Sequence, residues 1–511
     1  MLGAMTQAPT ARPVRALARA RQRTERLVGS PRTVAVAAAV AFLLRLLGLT
    51  RPVRADEAGF ELVARSWHPS ADSVYGFYFV DKPPPLIALF KASDAIGGPL
   101  FIRLLGALAC AALVLVAAAT TREVADHRAA RWAAVAAAAL VTTPVIDLVA
   151  VKGEVLALPF LVGAVGLALA AVRRHRARLA FAAGLLAGLP LGLKQNLVGA
   201  VVFTAVLFVG SHLAGRLTRG GLVRLAGAAV AGFAVPVLAT VGWALAAGVR
   251  LHALWYAVYG FRADASAALG DGSVAAPARR ALVLLAILAV TGIAVVLGAY
   301  VARVRDQWRR DAPLAAALVA MVGVDVVSLA LGGSFWQDYA FGLVPAALVA
   351  LALVSDRLRV RLVPLMVLST VACLAGWGAW NLAGRQEFDE HDTGVALHEV
   401  AAPGDTLVVF GGRADLQLES GLRSPYPYLW SLPMRTLDPD LTRFQALVAG
   451  PDAPTWLVEW WPFDTWTPKG DALRLEVERR YVEHGTGCDG RTIWLLRGVD
   501  RATPLPRCHG G

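Results

Sequence analysis

Eleven apolar runs separated by short polar loops restrict the folds open to this chain more than any other feature of its sequence. Most of them are long enough to cross a hydrocarbon layer of ~30 Å, which needs about 20 helical residues. The fifth is short, and we expect it to be tilted or broken. The pattern predicts a polytopic α-helical membrane protein with about eleven transmembrane helices. The runs lie at about residues 33–50, 99–119, 130–146, 154–172, 179–193, 195–214, 222–247, 281–302, 313–331, 339–354 and 361–381.

Composition agrees with this class, since 57% of the residues are hydrophobic and only 17% are charged. The formal net charge of +13 would also suit a nucleic-acid partner. The arginines, however, cluster in short loops between the apolar runs, which is the distribution that orients a membrane protein. We therefore expect contact with membrane lipids and no nucleic acid.

The arginine-rich loops predict the orientation of the chain. Residues 1–32 form a basic tail, and alternate loops after it are rich in arginine, so both are predicted to be cytoplasmic. An odd number of spans then places the C-terminal region outside. We expect a multi-pass protein of the plasma (inner) membrane. The cytoplasmic loops read TREVADHRAAR, RRHRAR, GRLTRGGLVR, ARVRDQWRR and SDRLRVR.

The composition changes near residue 382, where charge and proline rise and membrane-length apolar runs cease. The segments DTLVVFGG, TWLVEWW and RTIWLLRG are strand candidates that alternate with helical patterns at 388–400, 440–449 and 470–483. This alternation predicts a small α/β domain at 382–511, on the extracytoplasmic side of a transmembrane domain at 33–381.

The four cysteines divide between these two regions. Cys110 and Cys373 lie in predicted spans, whereas Cys488 and Cys508 lie in the region predicted to be exported. Only the second pair is expected to meet an oxidising compartment, so we predict a disulfide between them that closes a loop around the last strand.

The stretch 54–86, directly after the first span, is the candidate reaction centre. It opens with the acidic pair Asp56 and Glu57, our candidates for the catalytic residues, and continues to Asp81 and Lys82, which three prolines follow. By position alone these are ordinary interfacial charges. The proline run favours a functional role, because it fixes the backbone next to a lysine that is suited to holding a phosphate.

Further ionisable residues lie at the predicted outer ends of later spans. Asp147, Lys152 and Glu154 lie between the third and fourth spans, and Lys194 lies between the fifth and sixth. Charges at such depth usually face a cavity or a partner. The plainer alternative is a structural ion pair, either Lys152–Glu154 or Lys194–Asp147.

A third polar group precedes the tenth span, where Trp336, Asp338 and Tyr339 lie close together in the sequence. Trp336 is most simply explained as part of an interfacial aromatic belt.

These motifs together resemble the GT-C membrane glycosyltransferases of the protein O-mannosyltransferase and lipid A aminoarabinose transferase type. The likeness rests on a first outer loop that opens with Asp-Glu and is followed roughly 25 residues later by K-P-P-x-L, and on the segments GLLAGLPLGLKQNLVG and DYAFGLVPAAL. It covers about residues 33–381. Asp338 departs from the family pattern, since it replaces the histidine-like residue that usually precedes the tyrosine.

The resemblance implies an enzyme that moves a hexosyl or pentosyl group from a polyprenyl-phosphate donor to a hydroxyl of an unknown cell-envelope acceptor. By this resemblance Asp56 activates the acceptor, Lys82 contacts the lipid phosphate and Glu154 is the second polar position. Lys152 and Lys194 are further candidates for the phosphate. A base of this kind typically contributes ~10²–10⁴-fold to the rate.

With lysines at hand the reaction requires no metal, although Asp56, Glu57 and Glu154 are able to hold a divalent cation. The main alternative from another functional class is a transporter or flippase of a lipid-linked anion. Inverted repeats would favour that function, and the sequence has none. A third alternative is a non-catalytic membrane scaffold. Dinucleotide, P-loop and G-x-S-x-G motifs are absent from the sequence.

Overall fold

The computed structural model describes residues 30–270, 275–465 and 469–509, and most of these residues are helical. The predicted basic tail lies outside the described residues as far as residue 29. The first nine helices are α1 Thr33–Arg45, α2 Ala55–Arg65, α3 Pro84–Ile96, α4 Pro99–Thr121, α5 His127–Thr142, α6 Gly153–Arg174, α7 Ala177–Gly188, α8 Gly199–Leu213 and α9 Arg219–Ala246.

The next eight helices continue to residue 382. They are α10 Leu251–Trp255, α11 Phe261–Gly270, α12 Ala275–Val290, α13 Ile293–Val301, α14 Val304–Arg310, α15 Ala312–Leu331, α16 Val344–Leu353 and α17 Asp356–Leu382. Short 3-10 turns extend α1, extend α7 and precede α16, at Leu46–Gly48, Leu189–Gly192 and Gln337–Leu343.

Each of the eleven apolar runs of the sequence falls on a helix or on a helix pair. Within the described residues, five helices are long and apolar enough to cross a membrane, namely α4, α6, α9, α15 and α17. The pair α12 and α13 would be a sixth span, although the two helices are bent by 75°. This architecture is that of a helical membrane protein. The shorter apolar helices lie at 33–48, 177–192, 199–213 and 337–353.

Small residues allow α7 and α9 to pack closely. A Cβ atom on Gly184 would lie 1.9 Å from the carbonyl oxygen of Ala229, and one on Gly232 would lie 1.9 Å from that of Phe181. Close backbone approach through small residues is a common way for apolar helices to associate in lipid. The predicted irregularity of the fifth run is present, since α7 gives way to the 3-10 turn Leu189–Gly192, which contains a proline.

Two short helices, α2 and α3, frame the stretch that the sequence marked as the reaction centre. The backbone N–H of Arg54 donates to the Glu57 carboxylate at 3.4 Å, which caps the start of α2. The proline run ends at the start of α3, where Pro84 is the first helical residue and needs no N–H donor. Pro83 before it is extended, so Lys82 directly precedes a segment that the prolines stiffen.

The C-terminal part contains a four-stranded sheet with the strand order β1-β2-β4-β3. Strands β1 and β2 are parallel, and the other neighbours are antiparallel. The predicted strand segments are confirmed as β1, β2 and β4. The elements are α18 Asp389–Val400, β1 Leu407–Phe410, α19 Ala414–Glu419, α20 Ser431–Leu437, α21 Thr442–Ala449, β2 Trp456–Glu459, α22 Gly470–Arg480, β3 Tyr481–Thr486 and β4 Thr492–Leu496.

Both faces of this sheet are covered, so β1 and β2 are buried along their whole length. Val408 and Phe410 pack on one side, whereas Leu407 and Val409 pack on the other, as the alternation of a strand requires. The predicted helix 470–483 was too long by three residues. Tyr481 begins β3 instead, because its buried ring pairs in register with Leu496 and its hydroxyl donates to the carbonyl of Pro454.

The predicted disulfide between Cys488 and Cys508 is present. It closes the chain around β4.

The C-terminal part rests directly on the helices near the candidate reaction centre. Helix α19 packs against α2. The backbone N–H of Ser424 donates to the hydroxyl of Tyr78 at 3.1 Å, and the N–H of Phe79 donates to the carbonyl of Pro427 at 3.1 Å. These contacts join the loop before Lys82 to the segment that leads into α20.

Candidate active site

Asp56 lies in the first turn of α2 with two side-chain partners. The Lys152 ammonium is 2.8 Å from its Oδ2 atom, and the Trp430 indole N–H donates to its Oδ1 atom at 3.1 Å. The carboxylate side chain is still 37% exposed. It is therefore held in position by two donors and remains open to an incoming molecule.

Lys152 lies just before the start of α6 and contacts two acidic residues, Asp56 and Asp338. Its ammonium group contacts Asp56 and is also 3.3 Å from the Oδ2 atom of Asp338, a buried residue of the 3-10 turn before α16. The simple Lys152–Glu154 pair that we considered as an alternative is not the arrangement found. The lysine instead draws together the N-terminus of α2, the start of α6 and the segment before α16.

Lys194 occupies a neighbouring position between α7 and α8. Its ammonium group forms an ion pair with Glu154, a buried residue in the first turn of α6. It also lies 4.3 Å from the centroid of the Tyr339 ring, in cation–π geometry. The motif residues Glu154, Lys194 and Tyr339 are thus brought together, and the alternative Lys194–Asp147 pair is not the one formed.

Lys82 forms part of a third charged group. Its ammonium is 2.9 Å from Oδ1 of Asp81, whose other oxygen is 2.5 Å from the guanidinium of Arg262 in α11. The side-chain amide of Gln195 donates to the backbone carbonyl of Asp81 at 3.1 Å. Arg262 was missed at the sequence level, because it lies far along the chain in a segment without a recognisable motif.

The site is electrostatically balanced. Four cations, Lys82, Lys152, Lys194 and Arg262, are matched by four carboxylates, those of Asp56, Asp81, Glu154 and Asp338. An anionic ligand must therefore compete with carboxylates for the cations. Its binding would release a carboxylate each time it captures a cation.

The local charges set the protonation of Asp56 and Lys82. Burial alone would raise the pKa of the Asp56 carboxyl, but the charges of Lys152 and Lys82 and the hydrogen bond from Trp430 hold that pKa well below its usual range. Burial lowers the pKa of the Lys82 ammonium against the attraction of Asp81, and the charge of Arg262 adds to the lowering. Asp56 is therefore ionised in this arrangement.

Glu57 does not share the setting of Asp56, although we predicted both as catalytic residues. Its side chain is 1% exposed and accepts two hydrogen bonds from Arg103, at 2.8 and 3.2 Å. The backbone N–H of Val151 donates to it at 2.9 Å. These donors and the cap of α2 occupy the carboxylate oxygens of Glu57. Its contacts are therefore those of a buried residue that holds neighbouring segments together.

Asp147, another predicted site residue, lies in the loop before Lys152 and binds backbone groups of that loop. Its Oδ1 atom accepts the backbone N–H groups of Val149 and Ala150, at 2.8 and 2.9 Å. The guanidinium of Arg45 donates to its carbonyl oxygen at 2.6 Å. The side chain therefore shapes the loop that leads to Lys152.

Trp430 is a site residue that sequence reasoning missed. Its ring lies over α2, where a Cβ atom on Gly59 would be 2.0 Å from it, and its centroid is 5.9 Å from that of the Phe60 ring. Only glycine leaves enough room for the indole at that position. The glycine three residues after Asp56 was therefore a sequence signal for close packing against α2. The residue that packs there, however, lies hundreds of positions away in the chain.

The carboxylates that we named for a divalent cation do not converge. Asp56 faces Lys152, Glu57 faces Arg103 and Glu154 faces Lys194. Across residues 30–270, 275–465 and 469–509, no group of three His, Cys, Asp or Glu side chains has the arrangement of a metal site. The donor set around Asp56 is one of ammonium and indole groups, which suits an anion.

The structure is similar to the oligosaccharyltransferase of Archaeoglobus fulgidus, solved in complex with Zn and sulfate, with a TM-score of 0.51 at 16% sequence identity. The match covers 91% of this chain and 73% of the archaeal chain. ArnT of Cupriavidus metallidurans matches with a TM-score of 0.45 in its apo state and 0.43 when bound to undecaprenyl phosphate, at 15% and 17% identity, and each match covers 90% of this chain and 97% of ArnT.

No family model and no curated protein matches the sequence. The likeness to the archaeal oligosaccharyltransferase is a likeness of fold. The chain has the fold of the GT-C membrane glycosyltransferases, and the resemblance drawn from its motifs is confirmed at that level.

Proposed function

We propose that this protein is a membrane glycosyltransferase that moves a hexosyl or pentosyl group from a polyprenyl-phosphate donor to an acceptor hydroxyl at the outer face of the membrane. One observation carries the proposal: a partly exposed carboxylate, Asp56, is set among the half-buried ammonium groups of Lys82, Lys152 and Lys194. A base beside several cations suits a reaction in which an alcohol loses a proton while a phosphate departs.

In the proposed reaction the acceptor oxygen attacks the anomeric carbon of the donor sugar. The bond between that carbon and the phosphate oxygen breaks, and Asp56 takes the hydroxyl proton. The polyprenyl phosphate leaves with the bonding electron pair and is held by Lys82 and Lys152, with Lys194 and Arg262 nearby. Fixed cations stabilise the charge that develops on the leaving group without having to reorganise.

The low pKa of Asp56 has a consequence for this mechanism, because a carboxylate held far below its usual pKa is a weak base. In the proposed cycle the donor phosphate attracts Lys152 and so weakens the Lys152–Asp56 pair. The pKa of Asp56 then rises towards the working pH, since burial is the largest influence on it. The base is thus activated when the donor binds.

The proposed topology has eleven crossings, with a cytoplasmic N-terminus and an extracytoplasmic α/β domain at 382–511 attached to a transmembrane domain at 33–381. The distribution of charge along α6 supports it. This helix has Lys152 and Glu154 at its start and Arg173 and Arg174 in its last turn, so the site and an arginine-rich loop lie at opposite ends.

Reporter fusions at residues 358 and 400 test this topology. The expected result is a cytoplasmic signal for the first and an extracytoplasmic signal for the second. Two signals from the same side would show that the number of crossings between them is wrong.

The proposed reaction does not depend on a metal, because lysine and arginine side chains supply the positive charge for the leaving phosphate. Transfer is expected to proceed at an unchanged rate in EDTA. Loss of activity in EDTA that Mg²⁺, Mn²⁺ or Zn²⁺ restores would assign part of the phosphate binding to a cation.

The direct test is sugar transfer in membranes that contain the full chain, compared with membranes that lack it. Hexosyl and pentosyl polyprenyl phosphates, labelled in the sugar, are supplied at the outer face, and covalently bound label is followed in the other envelope fractions. The proposal predicts that label moves to an acceptor only when the protein is present. Label that crosses the membrane while it stays on its lipid would instead identify a flippase.

A further inference from the structure

A cavity lies at the opposite end of the helices that carry the candidate active site. Helix α6 has Lys152 just before its start, and Arg173 in its last turn lines the cavity. The helix has 22 residues, so at 1.5 Å per residue it is about 33 Å long, close to the thickness of a bilayer's hydrocarbon core. Helices α8, α15 and α16 likewise bring cavity residues from the ends remote from Lys194 and Asp338.

The cavity has a volume of about 470 Å³ and an apolar wall. Leu169 and Val172 of α6, Leu207 of α8 and Leu314 of α15 contribute to this wall. A chamber of this size and lining suits the glycerol region and the first methylene groups of a lipid chain.

Three arginines and two carboxylates, Glu123 and Asp311, contribute to the polar part of the lining. Arg173 is paired with Glu123 at 3.1 Å, and Arg216 is paired with Asp311 at 2.9 Å. Arg310, in the last turn of α14, is exposed and has no ion-pair partner within the described part of the chain. The cavity therefore offers one guanidinium without an ion-pair partner among the residues described, beside two that are paired with carboxylates of the same lining.

A second observation points to a ligand. Ser211 of α8 lines the cavity and is completely buried, and its hydroxyl lacks a hydrogen-bond partner within the described residues. Leaving a buried hydroxyl unpaired is costly. A ligand with polar oxygens in the cavity would satisfy it.

We infer that this cavity binds a phosphate-bearing amphiphile, namely an anionic phospholipid of the arginine-rich side of the membrane. Guanidinium groups pair well with phosphate oxygens, the Ser211 hydroxyl can donate to an ester or phosphate oxygen, and the leucines enclose the apolar part. Inorganic phosphate and soluble phosphate compounds share the headgroup chemistry, so the test must separate them from a lipid. The inference does not depend on the proposed glycosyl transfer.

The test is ligand binding to the purified full chain in detergent, followed by native mass spectrometry and by the shift of the thermal unfolding temperature. The ligands are dioctanoyl phosphatidylglycerol, dioctanoyl phosphatidylcholine and inorganic phosphate. The inference predicts saturable binding of phosphatidylglycerol that is at least about tenfold tighter than that of the other two, because only this lipid combines net negative charge with acyl chains.

Two adjacent arginines provide a matched pair of variants. Arg309 and Arg310 both lie in the last turn of α14 and are both exposed, but only Arg310 lines the cavity. Arg310→Ala is expected to weaken phosphatidylglycerol binding about tenfold, while Arg309→Ala leaves it unchanged. Ser211→Leu, which fills the cavity, is expected to abolish binding, and Arg310→Ala keeps the test valid if that variant does not fold.

Three results would overturn the inference. Equal losses in Arg309→Ala and Arg310→Ala would mean that the basic surface as a whole attracts anionic lipid. Equal binding of phosphatidylcholine would remove the role of the arginines. Binding of inorganic phosphate as tight as that of phosphatidylglycerol, and dependent on Arg310, would reassign the cavity to a soluble phosphate compound.

Discussion

Asp56 and Glu57 are neighbours in the sequence, but they lie in contrasting surroundings. Glu57 is 1% exposed and has a fork of two hydrogen bonds from Arg103 as well as a backbone donor, whereas Asp56 is 37% exposed and has two single contacts. The difference separates a carboxylate that holds the fold from one that is available for chemistry. Saturation by fixed donors is the distinguishing feature, and it depends on the direction in which each side chain leaves α2.

Arg103, the partner of the buried Glu57, also stabilises the position of Asp56. Arg103 also donates to the carbonyl groups of Gly48, Leu49, Arg51 and Pro52, so it fixes the chain between α1 and α2. The N-terminus of α2 is thereby held in place, and Asp56 is held with it. An active-site group built on a rigid element keeps its geometry with little loss of entropy when the substrate binds.

Removing the partly exposed carboxylate of Asp56 is the strongest test of the difference between Asp56 and Glu57. Asp56→Asn preserves the shape of the side chain and one acceptor oxygen but removes the proposed base, so kcat is expected to fall by ~10²–10⁴-fold while donor binding is retained. Donor binding and label transfer are measured on the same purified preparation. Asp72→Asn, at a surface carboxylate that is 76% exposed, is the matched control and should behave as wild type.

Transfer by Asp56→Asn at a near wild-type rate would contradict the proposed role and move the proton acceptor elsewhere in the site.

Replacing the buried carboxylate, Glu57, is expected to lower the stability of the protein rather than its turnover. Glu57→Gln leaves the Arg103 guanidinium buried beside a neutral partner, and breaking a buried pair of this kind typically costs about 3–5 kcal/mol of stability. A markedly lower thermal unfolding temperature is expected, with turnover per folded molecule within a few-fold of wild type. If this variant unfolds like wild type but has lost its turnover, the two carboxylates have exchanged the roles assigned here.

Lys82 tests the cationic half of the open site. Lys82→Ala removes a half-buried ammonium that is proposed to hold the donor phosphate, and losing one partner of a desolvated charge pair costs on the order of 2–5 kcal/mol of binding. Titration with a non-transferable polyprenyl phosphate measures this loss directly. Lys82→Arg is expected to recover part of the binding but less of the rate, because the guanidinium is wider and directs its donors differently.

Equal polyprenyl phosphate affinity with and without Lys82 would exclude the lysine from the phosphate site.

The pH dependence of kcat/KM examines the pair between Asp56 and Lys152. The pKa of Asp56 is lowered in the folded protein, so the carboxylate form, which is the proposed base, is lost only when the pH falls below the ordinary aspartate value of about 4. Removing the cation in Lys152→Met leaves burial as the dominant influence and is expected to raise this pKa. The acid limb of kcat/KM should therefore move to higher pH, by more than one unit.

An acid limb that stays in place in Lys152→Met would mean that Lys152 does not control the protonation of Asp56.

The sequence was informative wherever a local pattern determines the structure. Apolar periodicity located the helices, alternation located β1, β2 and β4, and the compartment argument identified the pair Cys488–Cys508. The motif residues Lys152, Glu154 and Lys194 do lie close together, although their ion pairs are not the ones that we considered as the plainer alternative.

Partners that are distant in the chain were beyond that kind of reasoning. The sequence does not signal that Arg103 would saturate Glu57, that Arg262 would reach Asp81 or that Trp430 would reach Asp56, which is 374 positions away. These contacts follow from how α4 and the C-terminal part meet α2 and how α11 reaches the loop before α3. Tertiary packing therefore determines that Glu57, rather than Asp56, is the fully buried carboxylate.

The Trp430 contact leads to the prediction with the smallest effect. Trp430→Phe keeps an aromatic ring above Gly59 but removes the indole N–H that donates to Asp56. One such hydrogen bond to a solvent-accessible carboxylate is worth about 0.5–1.5 kcal/mol, so kcat/KM is expected to fall by ~2- to 10-fold with no change in thermal stability. Trp461→Phe, at a half-exposed tryptophan of the same C-terminal part, should leave kcat/KM unchanged. Wild-type kinetics in Trp430→Phe would mean that Lys152 alone orients the carboxylate and that the C-terminal part covers the site without contributing to it.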